Sequence, residues 1–253
     1  VYEYSGSGDA LGVPDPNVPG NFLPNAKWSI TSTDNFNLRP IRWELVDFTG
    51  DGNKELVYVS RVQVAGPGNR FGVVRVSNIP NNGDGSETWT LLASDEAGAI
   101  TEGVAYDGFV VGNHYYIIHN SGAVTPISHS AGNYTIHPTI PGIVPGGSWD
   151  AACVVDIDGN GSKEVVTAAF NTATPGHKVT LITGAPGTNL VSHEIADLSS
   201  LVGANARFMG GRAADLDGDG KIDFVFGTRD ATPNGAIVRL KYLGGPITAP
   251  SSY

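Results

Sequence analysis

Carboxylate side chains recur at short, regular spacing in one nine-residue stretch, Asp215–Asp223. Acidic residues occupy its positions 1, 3, 5 and 9, and two glycines between them allow the backbone to turn tightly. Carboxylates held this close repel one another unless a cation lies among them, and a hard divalent ion binds six to eight oxygens. We therefore expect a Ca²⁺ site rather than a solvated acidic turn. Its predicted ligands are Asp215, Asp217, Asp219, the carbonyl of Lys221, and Asp223.

The flanking residues distinguish this stretch from a helix–loop–helix calcium motif. That motif continues to a bidentate Glu at position 12 and is enclosed by helices. Here Gly-Arg-Ala-Ala precedes the acidic residues and Phe-Val-Phe-Gly follows them. The stretch is therefore predicted to join two short strands.

Two further copies of the pattern occur earlier in the chain, each followed by an apolar run. In the first copy a threonine replaces the acid at position 3, which we expect to weaken binding. The predicted ligands of the first copy are Asp47, Thr49, Asp51, Asn53 and Glu55. Those of the second copy are Asp156, Asp158, Asn160, Ser162 and Glu164.

The spacing of the copies indicates a repeat. Asp156 and Asp215 are 59 residues apart, and Asp47 and Asp156 are 109 apart, close to two such periods. A further copy is thus expected near residue 107, where Asp107-Gly-Phe-Val-Val-Gly-Asn-His-Tyr115 keeps the first Asp but lacks the other acidic ligands. The sequence predicts four units, three of them able to bind metal.

The composition favours a loop-rich all-β protein. The 253 residues include 34 Gly and 16 Pro, with 40% hydrophobic and 16% charged residues. The formal net charge is −10, but ten of the acidic residues belong to the three predicted loops. Because the negative charge is local and basic patches are missing from the sequence, a nucleic-acid partner is not expected.

Cysteine usage and hydropathy exclude other classes. The single cysteine, Cys153, lies in an apolar run and is predicted to be a buried small hydrophobe. The sequence has no apolar run long enough to span a membrane. The first residue is Val1, as in a processed or excised product. Because millimolar Ca²⁺ is found outside cells, three predicted Ca²⁺ loops favour a secreted or cell-surface location.

Each unit shows the same predicted order of strands. Strand a leads into the acidic loop, strand b leaves it, and strand c follows a Gly/Pro/Asn turn. A fourth strand, d, carries an aromatic–hydroxyl–aliphatic pattern. The clear examples of this pattern are Trp28-Ser-Ile30, Trp89-Thr-Leu91 and Tyr134-Thr-Ile136, with a weaker one at His193-Glu-Ile195.

Four antiparallel strands in a unit of 50 to 60 residues are typical of a β-propeller blade. The predicted units are a blade at 41–98, a degenerate blade at 99–146, a blade at 147–205 and an incomplete blade at 206–253. Residues 1–40 are predicted to supply strands c and d of a preceding blade.

The pattern Asp-x-Asp-Gly-Asp-Gly-x-x-Asp followed by a Val/Phe-rich strand resembles the FG-GAP/VCBS repeats of integrin-type β-propellers. The resemblance covers residues 41–253 through Asp47, Asp156 and Asp215. It implies Ca²⁺ between strands a and b of each blade, in the three loops named above. Asp107, which lacks its partners, is expected to bind no metal.

The two ends of the chain are out of phase with whole blades. Val1–Gly6 is predicted to be a strand c, and the chain ends just after another strand c. One interpretation closes a ring with an N-terminal strand d; the other, which we favour, makes the chain a segment of a larger propeller. It would then pair with further segments of the same polypeptide or with another copy.

Two functional hypotheses remain open at this point. The first is a secreted binding or structural module whose partner is a glycan or an extracellular protein. The second is a carbohydrate-active enzyme such as a polysaccharide lyase, because some Ca²⁺-bearing propellers are lyases. Candidate acid/base groups for the second are Glu102, Asp107, Asp150 and Asp230, assisted by Tyr106, Tyr115 or Tyr116. The histidines form no His-Glu-x-x-His motif, and no nucleophile elbow or phosphate loop is present.

Overall fold

The structure is a computed structural model of the 253-residue chain. It describes residues 13–14, 22–23, 38–62, 69–77, 88–94, 104–170, 177–203, 206–229 and 235–253. Up to residue 94, side chains are described only for residues 42–59.

The described chain forms four antiparallel sheets and a two-residue pairing of β1 (Val13–Pro14) with β2 (Phe22–Leu23). Sheet 1 contains β3 (Leu38–Val46), β4 (Lys54–Val62), β5 (Asn69–Ser77) and β6 (Thr88–Ser94). Sheet 2 contains β7 (Ala105–Val111), β8 (His114–His119), β9 (Val124–Ser130) and β10 (Asn133–Ile136). Sheet 3 contains β11 (Cys153–Val155), β12 (Glu164–Ala168), β13 (Lys178–Thr183) and β14 (Val191–Asp197). Sheet 4 contains β15 (Arg207–Ala214), β16 (Asp223–Arg229) and β17 (Ile237–Lys241).

Strands that are consecutive in the chain are also neighbours in each sheet, so every sheet is a simple meander. The helical content of the described chain is one short α-helix, α1 (Ser199–Val202), and a 3-10 turn at Pro250–Ser252. The prediction of an all-β chain is confirmed. The predicted strand order is also observed, with three strands in sheet 4 among the described residues.

Consecutive sheets pack face to face through one apolar cluster at each junction. Phe48, Val57 and Ile117 belong to the cluster between sheets 1 and 2. Phe109 and Val165 belong to the cluster between sheets 2 and 3. The cluster between sheets 3 and 4 includes Leu181, Phe208, Phe224 and Phe226. Sheets 2 and 3 thus bury both faces, which explains why all five residues of β12 are buried and apolar positions run consecutively there.

The first strands of neighbouring sheets also touch. β3 contacts β7, β7 contacts β11, and β11 contacts β15. The pairing register of β3, β7 and β15 shifts within each strand, next to Arg42, Asp107 and Gly211, and in β7 the shift lies at the start of the strand. Such a bulge leaves backbone groups unpaired within a sheet and free to bond elsewhere. In β15 the N–H groups of Gly210 and Gly211 donate to the carbonyls of Trp149 and Asp150, which precede β11.

The prediction that Asp107–Tyr115 forms a degenerate copy of the acidic loop is wrong in the position of that loop. Asp107 lies inside β7, is fully buried, and pairs in register with Ile118. The strands β7 and β8 are joined by a two-residue turn, since Val111 pairs with His114. Gly112 accommodates this turn with φ of +57°. Sheet 2 therefore has a tight hairpin in the place where the other three sheets have an acidic loop of seven or eight residues.

Cys153 is buried and has no disulfide partner, as predicted. Among the described residues, no helix is long and apolar enough to cross a membrane. The expected strands at Val1–Gly6 and Trp28–Ile30 lie outside the described residues.

Candidate metal centres

Each acidic stretch joins the first two strands of its sheet. Asp47–Glu55 connects β3 to β4, Asp156–Glu164 connects β11 to β12, and Asp215–Asp223 connects β15 to β16. No helix flanks any of them. The structure therefore agrees with the prediction that these stretches are strand-to-strand loops.

The carboxylate at position 1 organises the backbone of its loop. In the first loop, the N–H groups of Gly50, Asp51 and Gly52 donate to the two oxygens of Asp47 at 2.8, 3.1 and 2.9 Å. In the last loop, the corresponding N–H groups donate to Asp215 at 2.8, 3.2 and 2.8 Å. In the middle loop, Gly161 donates to Asp156 at 2.8 Å. The two glycines of each loop have positive φ, which allows this curl.

The carboxylate at position 9 closes the loop from the first or second residue of the following strand. Glu55 accepts from the N–H of Phe48 at 2.8 Å, Glu164 from Ile157 at 3.1 Å, and Asp223 from Leu216 at 3.0 Å. These three carboxylates are buried, with 0%, 5% and 1% of the residue exposed. Burying a charged oxygen is costly unless it is paired or binds a cation.

Two of the loops bring three carboxylates together. One ligand oxygen from each of Asp156, Asp158 and Glu164 lies within 4.8 Å of the others, and the same holds for Asp215, Asp217 and Asp223. In the part of the chain that the structure describes, the loop at 47–55 does not form such a group. Its third position is Thr49, so it has one carboxylate fewer at the place where the other loops have Asp158 and Asp217.

Unpartnered oxygens show that a cation fits these two clusters. Asp156 Oδ1 and Asp223 Oδ1 are buried and have no hydrogen-bond partner. Leaving a buried carboxylate oxygen without a donor costs on the order of 1–3 kcal/mol, and more when the group is charged, unless a positive charge compensates it. All the ligands are oxygens, which is the donor set that Ca²⁺ prefers.

The remaining predicted ligands are exposed or partly buried residues of the loops. Asn53 donates from its backbone and side chain to Asp51 at 3.0 and 3.1 Å. The N–H of Ser162 donates to the Asn160 side chain at 2.7 Å. Lys221 donates its ammonium group to the carbonyl of Leu243 at 2.7 Å. In all three loops the side-chain oxygen at position 5 thus accepts from the backbone N–H at position 7.

The pKa shifts of carboxyl groups in the two clusters have opposite directions. Burial and the nearby Asp158 and Asp156 carboxylates raise the pKa of Glu164. In the last loop, hydrogen bonds from Lys241 and Arg239 lower the pKa of Asp217 to about 2. The middle cluster is thus short of positive charge, whereas the last cluster is supplied with it by side chains.

A second polar network, which the sequence analysis missed, ties the first strands together. Asp107 Oδ2 accepts from Ser148 Oγ at 2.5 Å and from the N–H groups of Ala151 and Ala152 at 2.7 and 3.0 Å. Arg42 donates to Asp150 and lies 4.0 Å from Asp107. Burial raises the pKa of Asp107, and the Arg42 guanidinium opposes that rise.

Arg212 faces the same network. It lies 3.9 Å from Asp150, is 74% exposed, and donates to the Gly211 carbonyl at 2.6 Å. No pattern in the sequence predicts these contacts, because they join residues about 40 to 110 positions apart. The one available signal was that Asp107 interrupts an otherwise apolar strand.

Most candidate acid/base groups have structural partners. Tyr116 donates to the Gly187 carbonyl at 2.9 Å and accepts from its N–H at 2.8 Å. Tyr115 is fully buried in the junction of sheets 1 and 2. Glu102 and Asp230 lie outside the described residues. Asp107 and Asp150 belong to the network described above.

Two surface features accompany these sites. Tyr106, Trp149 and Phe170 form a partly exposed aromatic group with ring centroids 4.7 to 5.4 Å apart. A cavity of about 400 Å³ lies beside the first loop, between residues 47–50 and the turns at 112–113 and 129–131.

Comparison with known proteins gives no family assignment. Neither a protein-family model nor a curated protein sequence matches this chain.

Proposed function

We propose that this chain is a calcium-stabilised β-propeller segment of the FG-GAP/VCBS type that serves as a secreted binding or structural module. The observation that carries the proposal is the pair of three-carboxylate clusters at Asp156–Glu164 and Asp215–Asp223, each with an unpartnered buried oxygen. Four meander sheets whose first strands are neighbours support the propeller arrangement.

The position of the clusters supports a structural role for the metal. Each loop joins the first two strands of a sheet, so a bound cation would hold the ends of both strands together. The residues that would hold it are the carboxylates at positions 1, 3 and 9. The cation would supply charge compensation for oxygens that have no other partner.

Calcium titration of the whole chain after treatment with a chelator tests this function. We expect Ca²⁺ binding in isothermal titration calorimetry, a higher melting temperature with Ca²⁺ than without it, and loss of part of both effects in Asp158→Asn. A chain that binds no Ca²⁺ and melts at the same temperature with and without it contradicts the proposal. If the melting temperature is unchanged while binding of a partner is lost, the metal is functional rather than structural.

The partner of the module would be a glycan or an extracellular protein. The aromatic group of Tyr106, Trp149 and Phe170 suits a glycan, since aromatic faces stack on sugar rings and these side chains are partly exposed. Binding to a glycan array, compared between the parent chain and Trp149→Ala, tests this surface. Equal binding by both proteins argues against it.

The same surface is the one observation that favours the alternative, a polysaccharide lyase. Tyr106 and Trp149 directly precede Asp107 and Asp150 in the sequence, and Arg212 is exposed beside Asp150. Incubation with uronate-containing polysaccharides would release unsaturated products that absorb in the ultraviolet. Their formation, and its loss in Arg212→Ala, would favour the enzyme over the module.

A further inference from the structure

The last acidic loop contains its own positive charges. Arg239 donates to Asp217 at 2.6 Å and to Asp223 at 2.7 Å. Lys241 lies 2.7 Å from both Asp217 and Asp219. Two of the three carboxylates of this cluster are thus already paired with cations from β17.

The register of the sheet places these cations. Asp223, at position 9 of the loop, pairs with Lys241, and Val225 pairs with Arg239. Residues two apart on a strand lie on one face, so both cationic side chains are on the same side of β17. They extend along that face to the loop that precedes β16.

Sheet 3 provides the internal comparison. Val166, the counterpart of Val225, pairs with Leu181 instead of an arginine. Thr183 follows Ile182, the partner of Val165, and so occupies the place that Lys241 has in sheet 4. Among the described ion pairs, none involves Asp156, Asp158 or Glu164. The two clusters therefore have the same ligand pattern but differ in their neighbouring charges.

The last cluster still has a place for a metal ion. Asp223 is 1% exposed, and its Oδ1 has no hydrogen-bond partner although Arg239 occupies Oδ2. A divalent ion can approach this oxygen, but it must displace the two side-chain cations or bind beside them. Like charges this close oppose its entry.

We propose that Arg239 and Lys241 act as competing counterions, so that the Asp215–Asp223 loop binds Ca²⁺ more weakly than the Asp156–Glu164 loop and exchanges it reversibly. This inference rests on the proposed function, because it requires that both loops bind the ion. The middle loop then is a permanent structural site. The last loop is occupied only when Ca²⁺ is abundant, and its side chains stabilise the metal-free state.

Calorimetric titration of the whole chain with Ca²⁺ tests the inference. Asp158→Asn and Asp217→Asn assign the binding events to the middle and last loops. We expect the event assigned to the last loop to be the weaker one. The variant Arg239→Leu/Lys241→Thr, which copies the residues of sheet 3, should tighten it by about tenfold or more, because it removes two positive charges that oppose the ion.

Matched variants separate the possible results. Lys178→Thr removes a lysine from β13 that pairs with Glu194 and Asp197, outside the loops, and should leave both binding events unchanged. Thr183→Lys places a cation beside the middle loop and should weaken its event. Arg239→Gln/Lys241→Gln keeps polar side chains on β17 and should also tighten the last loop.

Equal affinities in the two loops, or a last loop unaffected by both double variants, would overturn the counterion inference while leaving calcium binding intact. Absence of binding in every loop would instead contradict the proposed function.

Discussion

One oxygen of the Asp107 carboxylate accepts a hydrogen bond from the backbone N–H of Ala151 at 2.7 Å, across the boundary between sheets 2 and 3. The same oxygen accepts from Ser148 and Ala152. Asp107 therefore satisfies the backbone that leads into β11 before pairing within sheet 3 begins at Cys153. The side chain of Asp107 in sheet 2 thus accepts backbone hydrogen bonds that, in a continuous sheet, the carbonyls of a neighbouring strand would accept.

Replacing Asp107 with Asn should destabilise the fold by about 2–4 kcal/mol, because the amide has one accepting oxygen instead of two. Its N–H₂ group must then face either the three donors at Oδ2 or the Gly108 N–H, and Arg42 loses a buried negative charge. Chemical denaturation followed by circular dichroism measures this. Asp197→Asn, which alters an exposed pair with Lys178, is the control and should cost less than about 1 kcal/mol. Equal losses in the two variants would show that Asp107 has no special role.

The repeat of the acidic loops and the strand order could be predicted from the sequence, since both depend on local spacing. The role of Asp107 could not, because the 59-residue period placed a loop where sheet 2 has a tight hairpin. Gly112-Asn113 between two apolar runs is itself a hairpin signal, and it competes with the repeat. Contacts such as Arg42 with Asp150, 108 residues apart, have no local pattern.

The sequence also predicted similar Ca²⁺ binding for the middle and last acidic loops, because both have complete sets of ligands. Their position-9 carboxylates and glycine turns are indeed alike in the structure. The difference between the last two lies on β17 and β13, where Arg239 and Lys241 of sheet 4 occupy the positions that Leu181 and Thr183 have in sheet 3. That difference depends on the strand register, which spacing alone does not determine.

Gly211 permits the close approach of the first strands of sheets 3 and 4. Its N–H donates to the Asp150 carbonyl at 2.9 Å, and a Cβ at this position would overlap the carbonyl oxygen of Ala151. Gly211→Ala should therefore cost about 1–3 kcal/mol through overpacking. Thermal melting measures the loss, and Gly132→Asn, at an open turn, is the control. An unchanged melting temperature in Gly211→Ala would mean that β11 and β15 can move apart without loss of stability.

The thiol of Cys153 should be unreactive in the folded protein. Burial raises its pKa to about 12, so the reactive thiolate is scarce at pH 8. Because the folded-state pKa lies above the unfolded value, unfolding releases the proton more easily, and stability falls as the pH rises above about 9. A thiol-specific reagent should react only after unfolding. Rapid labelling of the native chain at pH 8 would contradict this environment.

The outer edge of sheet 4 is expected to accept a further strand. Within the described residues, β17 pairs only with β16, and Ile237 on it is 81% exposed. An unpaired edge with an exposed apolar residue favours strand addition. The sequence of Trp28–Ile30 carries the pattern found in β6 and β10, the fourth strands of sheets 1 and 2, and is the candidate from the same chain or another copy.

Light scattering distinguishes these two sources for the fourth strand. Pairing between copies gives a concentration-dependent mass above that of the monomer, and Ile237→Lys should reduce it. Pairing within one chain gives a monomer at all concentrations, and Trp28→Ala should then lower its melting temperature. The matched control is Val191→Lys on β14, which is exposed in a complete four-stranded sheet and should change neither quantity. A monomer that is insensitive to Trp28→Ala would show that the edge of β17 stays unpaired.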